Sequence, residues 1–186
     1  MKNLYILFLL TFGIAACSSP TQQVNKVMFN VDAKLLNPEP YFNKKLNFTI
    51  NAPINWQTEH AIIPDTAENV LAVYTNNKTK ASLLVTNLTQ IPDNEFSNLK
   101  KNKEQAAFVE QNWANHQKTE FIHNGFFITQ YVLQNQQAIT FKLICEKSGI
   151  DGDNIRLLLD YFIPSTTDIN QFKPIESSIG SLKSLN

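Results

Sequence analysis

Three histidines and two cysteines are the side chains of this 186-residue sequence with the clearest capacity for metal binding or nucleophilic chemistry. The histidines, His60, His116 and His123, form no H-x-x-x-H pair, and none stands beside another ligand at the spacing of a zinc site. His116 and His123 flank a predicted helix-to-strand connection, where folding could bring them together. The better interpretation is three solvent-exposed histidines, so we predict no metal and no other cofactor.

The two cysteines, Cys17 and Cys145, have different sequence surroundings. Cys145 follows Phe141 and Leu143 at period two, so its side chain is predicted to point into the core with theirs. No histidine or basic residue is adjacent to lower its pKa, which favours a buried thiol over a nucleophile. Cys17 is open to three interpretations at this point: half of a disulfide with Cys145, a reactive thiol, or an attachment site.

Motifs for catalysis are not found. The stretch Asp151-Gly152-Asp153-Asn154 has calcium-loop residue types but lacks the Asp-x-Asp-x-Asp-Gly register and the later glutamate, so a hairpin turn explains it better. There is no G-x-S-x-G, P-loop or H-E-x-x-H pattern. We therefore predict no catalytic residue and a protein that is not an enzyme. A triad built from distant residues is the alternative that spacing leaves open.

The N-terminus has the pattern of a secretory signal peptide. Met1-Lys2-Asn3 is a short basic start, and the eleven residues Leu4–Ile14 are almost wholly apolar. A membrane-spanning helix needs roughly 20 such residues, so the run fits the apolar region of a signal peptide instead. Residues 1–16 are predicted to be that peptide.

The end of this segment, Ile14-Ala15-Ala16-Cys17, resembles the lipobox of bacterial lipoproteins. The resemblance implies that Cys17 is lipidated on sulfur and becomes the first residue of the mature chain, which then attaches to a membrane through its acyl groups. No aspartate follows Cys17, and no acidic run follows it either, which resembles an outer-membrane address facing the periplasm. The alternative is an ordinary signal peptide that contains a cysteine.

Composition limits the partners of the mature chain. The sequence has 16 basic and 16 acidic residues and no net charge, which gives no electrostatic argument for nucleic acid or anionic lipid. Residues 17–40 contain three prolines and many polar side chains and are predicted to be a lipidated, flexible linker, with a short strand at Val27–Val31. A single domain is predicted for residues 41–186.

Apolar periodicity predicts the elements of that domain. Strands are predicted at residues 46–50, 69–75, 81–88, 126–133, 138–146 and 155–163, the last of them central in its sheet. A helix of some twenty residues starts at Pro92-Asp93 and carries Trp113 on its apolar stripe, and a second helix ends the chain with Phe172, Ile175, Ile179 and Leu182 on one face. The order predicts an α+β fold with an antiparallel sheet and helices on its faces.

Two stretches resemble the PsbP-like superfamily, which includes the extrinsic photosystem II protein, the Ran-binding nuclear-import factor and bacterial lipoproteins of the DcrB type. Phe48-Thr49-Ile50-Asn51-Ala52-Pro53-Ile54-Asn55-Trp56 is similar to the family's opening F-x-I-x-x-P-x-x-W, although Asn55 replaces its usual glycine. Ile175–Leu182 is similar to its final helix. The resemblance covers residues 41–185 and implies an α/β/α sandwich whose members mainly bind and stabilise partners.

Three residues are candidate surface sites. Trp56 and Tyr74 are aromatic side chains that could form a partner or ligand surface, although a tryptophan just after a strand is more often a structural plug. Asp65-Thr66-Ala67 resembles the O-glycosylation acceptor of Bacteroidetes periplasmic proteins, which makes Thr66 a candidate modification site.

The sequence thus favours a non-enzymatic lipoprotein that binds or stabilises an unidentified envelope protein. The second hypothesis is a carrier that binds a small molecule or lipid in a pocket between sheet and helix. An enzyme comes third.

Overall fold

A computed structural model describes most of the chain, with the backbone alone described for residues 25–26, 102–109 and 115–116. The described residues are 25–26, 29–59, 69–109, 115–148, 154–165, 167–168, 170 and 172–185. The strands are β1 (Asn25–Lys26), β2 (Tyr41–Asn43), β3 (Phe48–Ile50), β4 (Gln57–Thr58), β5 (Val70–Thr75), β6 (Ser82–Asn87), β7 (Asn115–His123), β8 (Phe126–Gln134), β9 (Ala138–Ser148), β10 (Asn154–Pro164) and β11 (Lys183–Ser184). The helices are α1 (Asp93–Val109), α2 (Phe172–Gly180) and a 3₁₀ turn at Ala33–Leu35.

Two sheets, mostly antiparallel, form the body of the described chain. Eight strands pair in the order β1-β7-β8-β9-β10-β6-β5-β4, and three pair in the order β11-β3-β2. Every pairing is antiparallel except that of β1 with β7. The predicted antiparallel sheet is therefore confirmed.

The strands β8, β9 and β10 form the predicted meander. Strand β10 lies between β9 and β6, which confirms its central position. Its side chains alternate, so that Leu157, Leu159 and Tyr161 are fully buried in the main core. Cys145 of β9 belongs to the same core, whereas its neighbour Ile144 is buried in a second cluster with Tyr131.

A buried arginine contacts the first turn of helix α1. The Arg156 guanidinium pairs with the Asp93 carboxylate, donates to the Ile91 carbonyl at 3.0 Å, and lies 4.2 Å from the centroid of the Phe96 ring. Phe96 is buried in the second cluster, as the helical stripe predicts. The described helix ends at Val109, and Trp113 lies outside the described residues.

Helix α2 joins the two sheets. Ile175 and Ile179 are buried in the main core, as predicted, and Pro174 lies in the first turn, where a proline is tolerated. The Ser178 hydroxyl donates to the Asn51 carbonyl at 2.5 Å and accepts from the Tyr161 hydroxyl at 2.9 Å. One side chain of α2 is thus bonded to the segment after β3 and to β10.

Strand β7 is not predicted from the sequence, which indicates a helix-to-strand connection in its place. Its nine residues, NHQKTEFIH, are polar and charged for most of their length, so apolar alternation does not reveal them. Pairing over the full length of β8 forms the strand, from Asn115 opposite Gln134 to His123 opposite Phe126. Tertiary pairing has overridden a weak local pattern.

The folded unit extends N-terminal of Tyr41, into the segment for which the sequence predicts a linker. Asn25 and Lys26 pair with β7. Of the strand predicted at Val27–Val31, residues 29–31 are not in a strand, and residues 27–28 lie outside the described residues. The Phe29 ring packs edge-on against His123, with the ring centroids 4.9 Å apart. The main-chain N–H of Asp32 donates to Ser177 of α2 at 3.2 Å. We call residues 29–36 the strap, because they cross from the β1 edge to the small sheet.

The close approach of the strap to Gly180 gives a test of this docking. A Cβ at Gly180 would lie 2.5 Å from the Phe29 Cβ and 2.8 Å from Val31 Cγ2. We expect Gly180→Ala to lower the free energy of unfolding by about 1–3 kcal/mol, the usual cost of overpacking. Urea denaturation measures the loss.

The background variant Phe29→Gly separates docking from helix propensity. It removes the nearest opposing atom, so Gly180→Ala is expected to cost less there. If the strap did not pack on α2, Gly180→Ala would leave the free energy of unfolding unchanged or raise it, since alanine is a better helix former than glycine. An equal loss in both backgrounds would contradict the docked strap.

Candidate ligand cleft

A cleft of about 670 Å³ lies where the β4 edge of the large sheet faces the start of the small sheet. One wall is the chain from Asn37 to Phe42, and the other is the end of β4 with part of β5. Its lining consists of Asn37, Pro38, Glu39, Pro40, Tyr41, Phe42, Thr58, Glu59, Leu71, Ala72, Val73 and Tyr74. The volume is within the range of small-ligand sites, roughly 300–1,000 Å³.

The first wall is fixed by hydrogen bonds around Asn37. Its main-chain N–H donates to the Ala52 carbonyl at 2.9 Å, and its side-chain amide donates to the Trp56 carbonyl at 2.8 Å. The Asn51 amide donates to the Asn37 carbonyl at 2.9 Å. Two prolines then restrict the backbone on the way to β2. The wall is therefore held by contacts on both sides of Pro53.

Aromatic rings supply much of the apolar surface. The Tyr41 ring packs on Phe48, with centroids 5.8 Å apart, and Phe42 is 57% exposed. Tyr74 is mostly buried beneath the cleft; burial raises the pKa of its phenol, an effect partly offset by a hydrogen bond with Thr58. Tyr74, a predicted candidate for a ligand surface, therefore lines a cleft.

Two carboxylates give the cleft a negative charge. Glu59 accepts a hydrogen bond from the Thr75 hydroxyl at 2.6 Å, which holds its side chain beside β5. Glu39 is exposed on the opposite wall. Of the described residues that line the cleft, none is a lysine or arginine. A cationic group is the ligand chemistry that this lining would attract.

The outer edge of β4 directs main-chain groups away from the sheet. Among the described residues, β4 pairs with β5 alone. The Glu59 N–H donates to the Val73 carbonyl at 2.9 Å. Successive residues of a strand direct their N–H and C=O groups to opposite sides, so those of Thr58 point away from β5.

A second cavity, of about 530 Å³, lies near Lys100, Phe127 and Glu146. Its charges are arranged differently, because the Lys100 ammonium and the Glu146 carboxylate form an ion pair at 2.6 Å. Because these two charges already pair with each other, this cavity is a weaker candidate for a ligand site than the cleft.

Trp56 is placed in the core rather than on the cleft surface. It is 5% exposed and packs against Tyr161, with ring centroids 6.4 Å apart. This burial favours the structural plug over the partner surface. The Trp56 contribution to the cleft is its carbonyl, which holds Asn37.

Cys145 and His123 are both buried. Cys145 belongs to the main core, as the period-two pattern predicts, and burial with the nearby Glu146 carboxylate raises the pKa of its thiol. The prediction of an exposed His123 is wrong: its side chain is buried, and its Nε2 lies 2.9 Å from the Gly180 carbonyl oxygen and 3.0 Å from the Asn124 side-chain nitrogen. The cause is the β7–β8 turn, which places the ring under the end of α2.

Several predicted sites lie outside the described residues: Cys17, His60, Thr66, Trp113 and Asp151–Asp153. For His116 the backbone alone is described, within β7. Among the described residues, no group of three or more histidine, cysteine or acidic side chains could hold a metal ion. None of the described helices is long and apolar enough to cross a membrane.

These sheets and helices form an antiparallel α+β domain, and its fold is similar to that of solved structures. Mog1p, a Ran-binding protein of Saccharomyces cerevisiae, matches with a TM-score of 0.50 at 10% sequence identity, over 81% of this chain and 97% of its own. A point mutant of Mog1 matches over the same shares with a TM-score of 0.47 and 10% identity. A Bacteroides thetaiotaomicron protein matches over 78% of this chain and 48% of its own, at 10% identity and a TM-score of 0.46.

The chain therefore has a Mog1-like fold, the fold of the PsbP-like family that the sequence resembles. At 10% identity the likeness to Mog1p extends to the fold alone. No known protein-family profile matches the chain. A search of curated proteins also finds no match.

Buried phenols predict a loss of stability in alkali. Burial raises the pKa of both Tyr74 and Tyr161 in the folded chain. In the unfolded chain they ionise near pH 10, so the stabilisation present below pH 10 is lost as the pH rises above it. We expect Tyr161→Phe to cost about 1 kcal/mol through its bond to Ser178, yet to lose less stability than the wild type between pH 9 and pH 11. Parallel stability curves for the two proteins would contradict this prediction.

Proposed function

We propose that this protein is a non-enzymatic lipoprotein, anchored through Cys17 to the outer membrane and facing the periplasm, where its domain binds an envelope protein. The observation that carries the proposal is the lipobox-like Ile14-Ala15-Ala16-Cys17, which stands only a few residues before a chain segment that packs on the domain. The cleft supplies a surface for the partner. The Mog1-like fold adds no activity to this argument, because one fold serves many functions.

The packed N-terminal segment shortens the tether that the proposal requires. Seven residues lie between Cys17 and Asn25, the first residue of β1, so eight Cα–Cα steps join the two. Fully extended, such a segment spans at most about 29 Å. A lipidated Cys17 would therefore hold the β1 edge of the domain within that distance of the bilayer.

The sheet order supports a cleft far from the edge that the proposed tether would hold. The strands β1 and β4 are the two ends of the eight-stranded sheet, with seven strand spacings between them. At about 4.8 Å per spacing the two edges are about 34 Å apart along the sheet. In this proposal the cleft therefore lies on the side of the domain opposite the membrane attachment.

The proposal includes the full PsbP-like arrangement, an α/β/α sandwich with a helix on each face of the sheet. The two core clusters support it. Phe96 of α1 packs with Ile144, whereas Ile175 of α2 packs in the cluster of Cys145. Adjacent residues of β9 point to opposite faces.

The second candidate function is a small-molecule or lipid carrier, and the cleft volume favours it. The sequence-based hypothesis has a pocket between sheet and helix, whereas this cleft lies between β5 and the chain entering β2. Three tyrosine and phenylalanine rings at Tyr41, Phe42 and Tyr74 line it. Aromatic walls with a few polar groups are typical of ligand sites.

Membrane attachment is tested with Cys17→Ser. We expect the variant to leave the membrane fraction, because the attachment site of the acyl chains is lost and at least two lipid signals are needed for stable anchoring. Fractionation followed by immunoblotting measures it, with Ser19→Ala as the matched control. A Cys17→Ser protein that stays in the membrane fraction would overturn the lipoprotein proposal.

The partner is tested by photo-crosslinking from the cleft. Benzoylphenylalanine at Phe42, which is exposed beside the cleft, is expected to give discrete protein adducts in intact cells. The control position is Phe162, an exposed residue of β10 that is not in the cleft lining. Equal adducts from both positions would contradict a partner at the cleft. A stoichiometric small molecule in the purified native protein, without protein adducts, would favour the carrier.

A further inference from the structure

We infer that the cleft binds an extended peptide segment carrying a lysine or arginine, which pairs as an added strand with the outer edge of β4. This inference deepens the proposed function, on which it rests, by giving the chemistry of the partner. Three features support it independently: the charge of the lining, its aromatic surface and the direction of the Thr58 main chain.

The charge of the lining selects a cation. Among the described residues that line the cleft, Glu39 and Glu59 are the charged ones, and they lie on its opposite walls. The Thr75 hydroxyl occupies part of the hydrogen-bonding capacity of Glu59 without neutralising it. A carboxylate accepts several hydrogen bonds, so Glu59 keeps acceptor sites for an ammonium or guanidinium group.

The aromatic surface suits the same side chains. Lysine and arginine pair an apolar stem with a charged head, and cations are attracted to the faces of aromatic rings. Tyr41 and Phe42 present rings on one wall, and Leu71 adds apolar surface on the other. The cleft therefore accommodates the stem as well as the charge.

The outer edge of β4 favours a peptide over a free organic cation. The N–H and C=O of Thr58 point away from β5, in the direction where a further antiparallel or parallel strand would pair. Peptides that extend a sheet in this way gain affinity from main-chain hydrogen bonds and specificity from side-chain pockets. A free amine would use the carboxylates and leave the Thr58 groups to water.

The test uses the full chain, purified in detergent from its own membranes, and a labelled, blocked hexapeptide of sequence Val-Thr-Lys-Val-Thr-Val. Fluorescence anisotropy measures the affinity. We expect binding that weakens as salt rises, and much weaker binding of the same peptide with glutamate in place of lysine. Glu39→Gln and Glu59→Gln are each expected to weaken binding about two- to fivefold, the range for partly exposed ion pairs. Glu176→Gln, an exposed charge on α2, is the matched control and should change nothing.

Hydrogen exchange distinguishes strand addition from capture of the side chain alone. We expect the lysine peptide to slow exchange at the Thr58 amide, and N-acetyl-lysine methylamide to bind more weakly without that effect. The inference is overturned if neither peptide binds, if the glutamate peptide binds equally well, if the small amide binds as tightly as the hexapeptide, or if Thr58 exchange is unchanged.

The experiments distinguish a failure of the peptide-binding inference from a failure of the proposed function. Release of Cys17→Ser from membranes, with discrete Phe42 adducts but no peptide binding, would remove the inference and leave the proposed function. Peptide binding by a protein that is never membrane-attached would remove the lipoprotein proposal and leave the cleft chemistry.

Discussion

The Ser178 hydroxyl is the junction on which the arrangement of the two sheets depends. It donates to the Asn51 carbonyl beyond β3 and accepts from the Tyr161 hydroxyl of β10. Ser181, one turn on, accepts from the Asn51 N–H at 2.8 Å. Both main-chain groups of Asn51 are thereby satisfied, one by α2 and one by the residue that follows it. A buried main-chain group without a partner costs about 1–3 kcal/mol. The small sheet is thus held in one position against the large one.

The cleft is a consequence of that junction rather than an independent feature. Asn51 is bonded through its side chain to Asn37, the first residue of the cleft wall. A chain of hydrogen bonds therefore runs from β10 through Ser178 and Asn51 to the wall. The opposite wall is the edge of the same sheet that contains β10. Since both walls are tied to one sheet, the width of the cleft is fixed by the packing of α2.

The sequence predicts the elements of this fold better than it predicts the cleft. Apolar alternation marks β8, β9 and β10, and the helical stripe marks α2, because each of these segments buries one regular face. Strand β7 has too few apolar residues to show its period, and the sequence does not reveal that residues 29–36 pack on α2. The cleft joins residues near Asn37 to residues near Leu71, a pairing that only tertiary structure creates. Tyr74 can be predicted as a candidate surface residue because it is aromatic, whereas no local sequence signal distinguishes Glu59 from a glutamate exposed to solvent.

A chain without net charge can still present a charged site, and this domain shows how. The 16 acidic residues balance the 16 basic ones over the whole sequence, yet ion pairs such as Lys100 with Glu146 and Lys142 with Asp160 remove charge from the strand faces. Glu39 and Glu59 line a cleft without a cation among its described residues. At physiological ionic strength a charge is screened within about 8 Å. A ligand in the cleft therefore responds to these two carboxylates far more than to the balanced charge of the rest of the chain.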